Sequence, residues 1–316
     1  MSSRALADPD RRLVGDLSER DFRSRIEGPG LGVRLGPFDV HLTVRVPTIL
    51  EPLRTLYAWY STLEGDRVYG CHATLNEARN LRRRPIRRVR FTVDGVTPHE
   101  DLPRAQALSV LEWGINLVIA LRFHCYLLLH TAVLERNGRA LLLPAAPGQG
   151  KSTLCAALAH RSWRLLSDEF GIVRPGTRMV LPIPRPMPLK NESIAVIRSF
   201  APEAVLGPEI SNTRKGTVAH VRPPRESVER AGEPAPARWL VFPRWQAGAR
   251  QELDEVLPSE AFMRLATNAF NYEMHGERGF ATVRDLVAGS RCFRLVYSDL
   301  DAAIAALDRL SDEDLG

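Results

Sequence analysis

Residues 139–153, Arg-Ala-Leu-Leu-Leu-Pro-Ala-Ala-Pro-Gly-Gln-Gly-Lys-Ser-Thr, run from an apolar stretch through a glycine-rich loop into a helix-forming segment. The pattern Gly-x-x-x-x-Gly-Lys-Ser/Thr fits from Ala145 to Ser152, with alanine in the place of the first glycine. This is the spacing of a phosphate-binding loop. Backbone N–H groups from Gly148 to Lys151 can converge on phosphate oxygens because Gly148 and Gly150 carry no side chains. Lys151 supplies a point charge to the outer phosphates, the Ser152 hydroxyl suits Mg²⁺, and a helix opening at Lys151 adds its positive dipole end. Ala145, Gln149 and Thr153 complete the expected nucleotide-binding set. Alanine at 145 goes against the pattern, since alanine resists positive φ. The flanks agree with a strand–loop–helix unit: Ala140 to Leu143 is strand-like, and Leu154 and Leu158 stand at helical spacing.

The chain has 316 residues, room for one large domain or two ordinary ones. Residues 1–28 are polar, suggest a loose leader, and lack the apolar core of a signal peptide. The longest apolar region, 107–130, is interrupted by Glu112, Arg122 and His124 and is too short to span a bilayer. Cys71, Cys125, Cys155 and Cys292 have no metal-ligand spacing and suggest reduced core thiols of a cytoplasmic protein. The net charge of +6 invites a nucleic-acid partner. Much of it falls at Arg79, Arg82, Arg83, Arg84, Arg87, Arg88 and Arg90, where Arg88 and Arg90 alternate with Val89 and Phe91 as the outer side of a half-buried strand. With no interleaved aromatics, the cluster is expected to be a solvated face, or a patch for an acidic partner, and not a nucleic-acid site.

Before the loop, alternation over 38–46 predicts a strand, residues 48–60 a helix, 88–94 a strand, and 103–122 a helix. Two apolar runs joined at Asn137-Gly138 predict a β-hairpin feeding the loop. An antiparallel entry of that kind departs from a doubly wound nucleotide-binding fold. After the loop helix, the apolar run Trp163 to Leu166 ends at Ser167-Asp168-Glu169. Carboxylates there suit Mg²⁺ binding or a base for phosphoryl transfer, although Ser-Asp also starts ordinary turns. The proline-rich stretch 174–188 predicts an extended connection, and the polar stretch 201–238 a long surface excursion. Trp239 to Phe242 and Cys292 to Tyr297 predict strands, with Ser259 capping a helix at 260–271 and Asp299 capping one at 300–310.

With these residues placed, the chain resembles the HPr kinase/phosphorylase superfamily, in which a strand histidine precedes the loop by about the separation of His130 from Ala145. It is most similar to the group called HprK-related kinase A, at Leu111-Glu-Trp-Gly-Ile-Asn116, Leu165-Leu-Ser-Asp-Glu169, Leu189-Lys-Asn-Glu-Ser193, Lys215-Gly-Thr-Val-Ala-His220 and Val241-Phe-Pro243. The resemblance implies an α/β fold. Its P-loop kinase core would be of the HPr kinase/phosphoenolpyruvate carboxykinase type, a mixed sheet with antiparallel strands, over 103–316, with a small N-terminal α/β unit over 1–102. Thr153 stands where true HPr kinases have glutamate, Glu169 replaces their second aspartate, and their Leu-Glu-Ile-Arg-Gly stretch has no counterpart, which argues against HPr itself as substrate.

The implied activity is an ATP- and Mg²⁺-dependent kinase acting on a serine-type hydroxyl of a peptide or small protein. Asp168 would accept the hydroxyl proton, His130 would orient Asp168 or touch the γ-phosphate, and Lys151 would hold the phosphates. Ser152, Asp168 and Glu169 would hold the metal, and Lys190, Asn191, Lys215 and Arg222 are candidates for substrate contacts. The resemblance also implies a peptide-modification system with a PqqD-like presenting protein as partner, and allows a homo-oligomer. The competing expectation is a nucleotide-binding regulator or weak ATPase that transfers no phosphate.

Overall fold

A computed structural model describes residues 12–65, 67–78 and 87–314. Its N-terminal part comprises α1 (Glu19–Glu27), β1 (Leu31–Leu35), β2 (Phe38–Arg45), α2 (Leu50–Leu56), β3 (Thr62–Leu63), β4 (Cys71–Glu77), β5 (Arg88–Val93), β6 (Leu102–Pro103) and α3 (Ala107–Arg122). The six strands form one sheet in the order β3-β1-β2-β4-β5-β6, in which only the β2–β4 pairing is parallel. The alternation read in 38–46 is the pleat of β2, with Val40, Leu42 and Val44 buried. On β5, Val89, Phe91 and Val93 are buried while Arg90 is exposed. Helix α3 packs on β4 and β5, where a Cβ at Gly114 would stand 2.5 Å from the Phe91 ring, so glycine lets helix and sheet approach.

The rest comprises β7 (Leu127–Arg136), β8 (Arg139–Pro144), α4 (Lys151–Ala159), β9 (Arg164–Ser167), β10 (Phe170–Val173), β11 (Met179–Leu181), β12 (Met187–Lys190), α5 (Glu192–Phe200), β13 (Ile210–Thr213), β14 (Gly216–Val221), α6 (Arg225–Glu229), β15 (Ala235–Trp245), β16 (Glu252–Glu255), α7 (Pro258–Thr267), α8 (Gly276–Ala288), β17 (Arg291–Tyr297) and α9 (Leu300–Glu313). An eight-stranded sheet runs β11-β10-β7-β8-β15-β17-β16, with β9 beside β7. It is mixed: β15 is parallel to β8 and β17, whereas β7 meets β8, β9 and β10 antiparallel. Helices α4, α5 and α9 share one apolar core with this sheet, and α7 and α8 close a second. A small third sheet, β12-β14-β13, lies over α4. The protein is therefore a mixed α/β fold with mixed sheets. Among the described residues, no helix is long and apolar enough to cross a membrane.

Several local expectations need correction. Residues 12–28 of the expected leader are ordered: Ser18 Oγ accepts from Asp21 N at 3.0 Å, and α1 buries Phe22 and Ile26. The helix expected at 48–60 ends at Leu56, because Tyr57 and Tyr60 turn inward so that their hydroxyls reach Glu112 and Pro184 O. The stretch 201–238 is no loose excursion, since β14 pairs with β12 and buries Val218 to Val221. Ser259 is not a cap: α7 starts one residue earlier, with Pro258 in its first turn. Cys125 is exposed, unlike the other three thiols. Arg79, Arg82, Arg83 and Arg84 lie outside the described residues.

Candidate active site

The site begins with the β7–β8 hairpin. Asn137 and Gly138 take φ of 55° and 75°, the two positive values that a type I′ turn requires. The hairpin delivers β8 to Pro144, and the glycine loop 145–150 connects it to α4. Gly148 and Gly150 have φ of 85° and 84°, while Ala145 is absent from the left-handed region, so alanine meets no strain there. A Cβ on Gly150 would stand 2.5 Å from Tyr297 Oη and 2.9 Å from Trp245 Cβ. Tyr297 Oη donates to Gly150 O at 3.2 Å, and Trp245 N donates to Gln149 O at 3.0 Å. The loop is thus strapped to the ends of β17 and β15, contacts that carry no local signal in the sequence. No side chain caps α4, leaving its first N–H groups to point out of the helix.

Lys151 is nearly buried and turns across to the end of β9, where Nζ donates to Asp168 O and lies 3.6 Å from Asp168 Oδ1. Ser167 Oγ accepts from Phe170 N at 3.1 Å and so fixes the turn that presents Asp168 and Glu169. On β7, His130 is registered opposite Phe170 and brings Nε2 to 3.5 Å from Glu169 Oε2. Phe270 holds the histidine ring from outside, with centroids 5.5 Å apart, and packs on Phe170 at 4.9 Å.

The two carboxylates differ. Neither oxygen of buried Asp168 has a hydrogen-bond partner at bonding geometry. Burial raises its pKa; Lys151 counteracts this, Glu169 adds to it, and the nearby Ser152 hydroxyl favours the charged form. Burial also works against Glu169, but His130 and Lys151 outweigh it and hold that carboxyl at about 2. Lys151 stays charged, because the two carboxylates overcome its own desolvation.

The remaining candidates divide. Lys190 stands half-buried at the end of β12, its pKa lowered by burial and by Lys215, and feels both carboxylates. Lys215 Nζ lies 5.9 Å from the Trp113 ring centroid. Asn191 ties β12 to β14 locally, since its N donates to Thr217 O at 2.9 Å and its Oδ1 accepts from Thr217 N at 3.1 Å. Arg222 is set apart, stacked 4.7 Å over Trp59. Sequence reasoning missed Glu112, Arg185 and His220, which line a narrow cleft with Asp168 and Glu169. His220 belongs to a stretch that carries the family resemblance, but only pairing of β14 with β12 turns it inward.

Fold and site together define a mixed α/β protein in which a glycine loop and its lysine face an acidic pair, Asp168 buried and Glu169 partly exposed. No family model matches the chain, and no curated protein matches it. Among solved structures, the Hpr(Ser) kinase/phosphatase from Coxiella burnetii is similar at 11% identity, covering 59% of this chain and 98% of its own, with a TM-score of 0.24. At so low a score, the site rests on its own geometry.

Proposed function

We infer that the chain is an ATP- and Mg²⁺-dependent kinase that phosphorylates a serine-type hydroxyl on a peptide or small protein. The observation that carries this reading is the Lys151–Asp168 juxtaposition. A lysine at the head of an uncapped helix stands 3.6 Å from a buried carboxylate whose oxygens make no hydrogen bond at bonding geometry. Such a carboxylate suits a group that must accept a proton from a hydroxyl brought beside it.

Glycines 148 and 150 and the first N–H groups of α4 would cradle the phosphates, with Lys151 beside the outermost. Among the described residues, no cluster of three or more His, Cys, Asp or Glu could hold a metal by itself. Mg²⁺ needs fewer, because it keeps waters and phosphate oxygens and takes only one or two carboxylates. The open oxygens of Asp168, the ionised Glu169 and the Ser152 hydroxyl fit such an ion. When bound, it would neutralise charge on the transferring phosphoryl group. Asp168 would take the acceptor's hydroxyl proton as the new oxygen–phosphorus bond forms and the γ-phosphate's bond to the bridging oxygen breaks, with ADP leaving. His130 would hold Glu169 in place. The family resemblance adds a PqqD-like presenter as the proposed partner, and the scattered cysteines suggest a cytoplasmic setting.

The test is phosphate transfer by Asp168→Asn, a change of nearly equal volume. It should lower kcat by about 10²–10⁴-fold, the usual worth of a positioned base. Nucleotide affinity, read by calorimetry, should survive that change and fall in Lys151→Ala. Unchanged transfer by Asp168→Asn contradicts the assignment of the base.

A further inference from the structure

Ten large apolar side chains stand exposed among the described residues, and five of them, Leu257, Met263, Phe270, Met274 and Phe280, fall within residues 257–280. They are between 48% and 71% exposed. Single exposed apolar side chains are ordinary, whereas a concentration of them inside a polar rim marks a contact surface. The core does not account for these five, because α7 buries Ala261 and Leu265, and α8 buries Val283, Leu286 and Val287. Met263 stands across α7 from that buried row. Phe262 and Phe280 close the seam between the two helices, their ring centroids 5.1 Å apart. Between the helices, Asn271 Nδ2 donates to Tyr126 O at 2.9 Å and His275 Nε2 lies 3.0 Å from the same oxygen. That turn is pinned inward by its polar residues and leaves Met274 outward.

The face runs into the candidate site. His130 N donates to Asn268 O at 2.7 Å, and Phe270 N donates to Leu128 O at 2.8 Å, so the chain leaving α7 is bonded to β7 beside the histidine that Phe270 touches. The rim has one sign of charge. Residues 252–280 hold six carboxylates and two arginines, in a chain whose overall charge is +6. Asp254 and Glu260 pair with Arg294 and Arg264, whereas among the described residues Glu255, Glu273 and Glu277 are exposed and make no ion pair. A second copy docked through the same face would bring these carboxylates together, and an anionic lipid surface would be repelled. A cationic partner with an apolar stripe satisfies both features, and methionines suit a face that must fit more than one sequence.

We propose that the α7–α8 face docks a basic amphipathic helix of the acceptor peptide or protein, its apolar stripe against Met263, Met274 and Phe280 and its lysines or arginines against the carboxylate rim. The inference rests on the kinase reading above, which assigns the helix to the acceptor. Phe270 joins the face to His130, so a serine beyond the end of the docked helix is carried toward the acidic pair.

The experiment is fluorescence anisotropy of the full chain at about 0.15 M salt with three labelled peptides, each bearing a serine near one end: an amphipathic helix of leucine and lysine, its leucine–glutamate counterpart, and a scrambled leucine–lysine sequence. The first should bind at least about tenfold more tightly than either control. Met263→Gln combined with Met274→Gln, both at exposed positions, should weaken it about tenfold, and Glu273→Lys with Glu277→Lys should remove the preference for lysine over glutamate. Equal binding of the three peptides by wild type, or an affinity unchanged by the methionine pair, overturns the docking face. A dimer in sedimentation that the methionine pair breaks assigns the face to a second copy and overturns it too. Transfer of labelled γ-phosphate to the same peptides separates the two readings. Transfer with equal KM for all three overturns the docking face while the kinase stands, whereas binding that follows the face with no transfer to any peptide sinks the kinase reading alone.

Discussion

Asp168 and Glu169 are adjacent in sequence yet sit in opposite electrostatic surroundings, and their pH responses should oppose each other. Glu169 is lowered from its ordinary 4.5 to about 2, so its contribution to stability is fully present above pH 4.5 and is lost as pH falls toward 2. Glu169→Gln should therefore flatten the stability curve in that window, measured by urea denaturation at stepped pH. Asp168 is raised above its ordinary 3.8, so folding binds its proton more tightly, and stability declines as pH rises through the folded value. Asp168→Asn also removes the main counter-charge of buried Lys151, so it should lower the thermal midpoint near neutral pH while slowing transfer by about 10²–10⁴-fold. A raised midpoint would mean that burial opposes that charge more than Lys151 depends on it. For wild type, the acid limb of kcat/KM should lie above the ordinary aspartate range, since only the deprotonated carboxylate accepts a proton.

At the scale of elements, the two loop glycines make separable predictions. Gly148 has open space around its missing Cβ, so Gly148→Ala bears only the left-handed backbone cost of about 1–2 kcal/mol. Gly150→Ala bears that cost and also drives a methyl into Tyr297 and Trp245. It should destabilise more and weaken nucleotide binding more, measured by denaturation and calorimetry on both variants. The strand, turn and helix around this loop were legible because each is fixed locally: Asn137-Gly138 accepts positive φ, and Asp299 Oδ1 caps α9 by accepting from Ala302 N at 2.8 Å. Strands β13 and β14 were not legible, because β14 is buried by pairing with β12 across the chain and β13 pairs with β14 in turn, not through a strong local alternation. Glycine at 276, with φ of 52°, separates α7 from α8 after a turn that the sequence pattern blurs.

Across the whole molecule, the N-terminal sheet and the larger sheet meet at a buried ion pair. Glu112 on α3 binds Arg185 on the connection between β11 and β12, with side chains only 3% and 9% exposed. Removing one partner strands the other, so Glu112→Ala should destabilise by about 3–5 kcal/mol. Replacing both with leucine should cost much less than the sum of the single changes, measured by a double-mutant cycle. The same junction explains why only part of the site was legible. Lys151, Asp168 and Glu169 follow one another within a single strand–loop–helix–strand unit, whereas Glu112, Arg185 and His220 come from three distant segments that only the tertiary fold brings together. The measurement that bears most directly on this account is transfer of labelled γ-phosphate from ATP with Mg²⁺ to serine-containing peptides. Wild type should yield phosphoserine, Asp168→Asn should bind ATP without yielding it, and Lys151→Ala should do neither. ATP held through Lys151 with no phosphate passed to any peptide would contradict the account and describe a nucleotide-binding regulator instead.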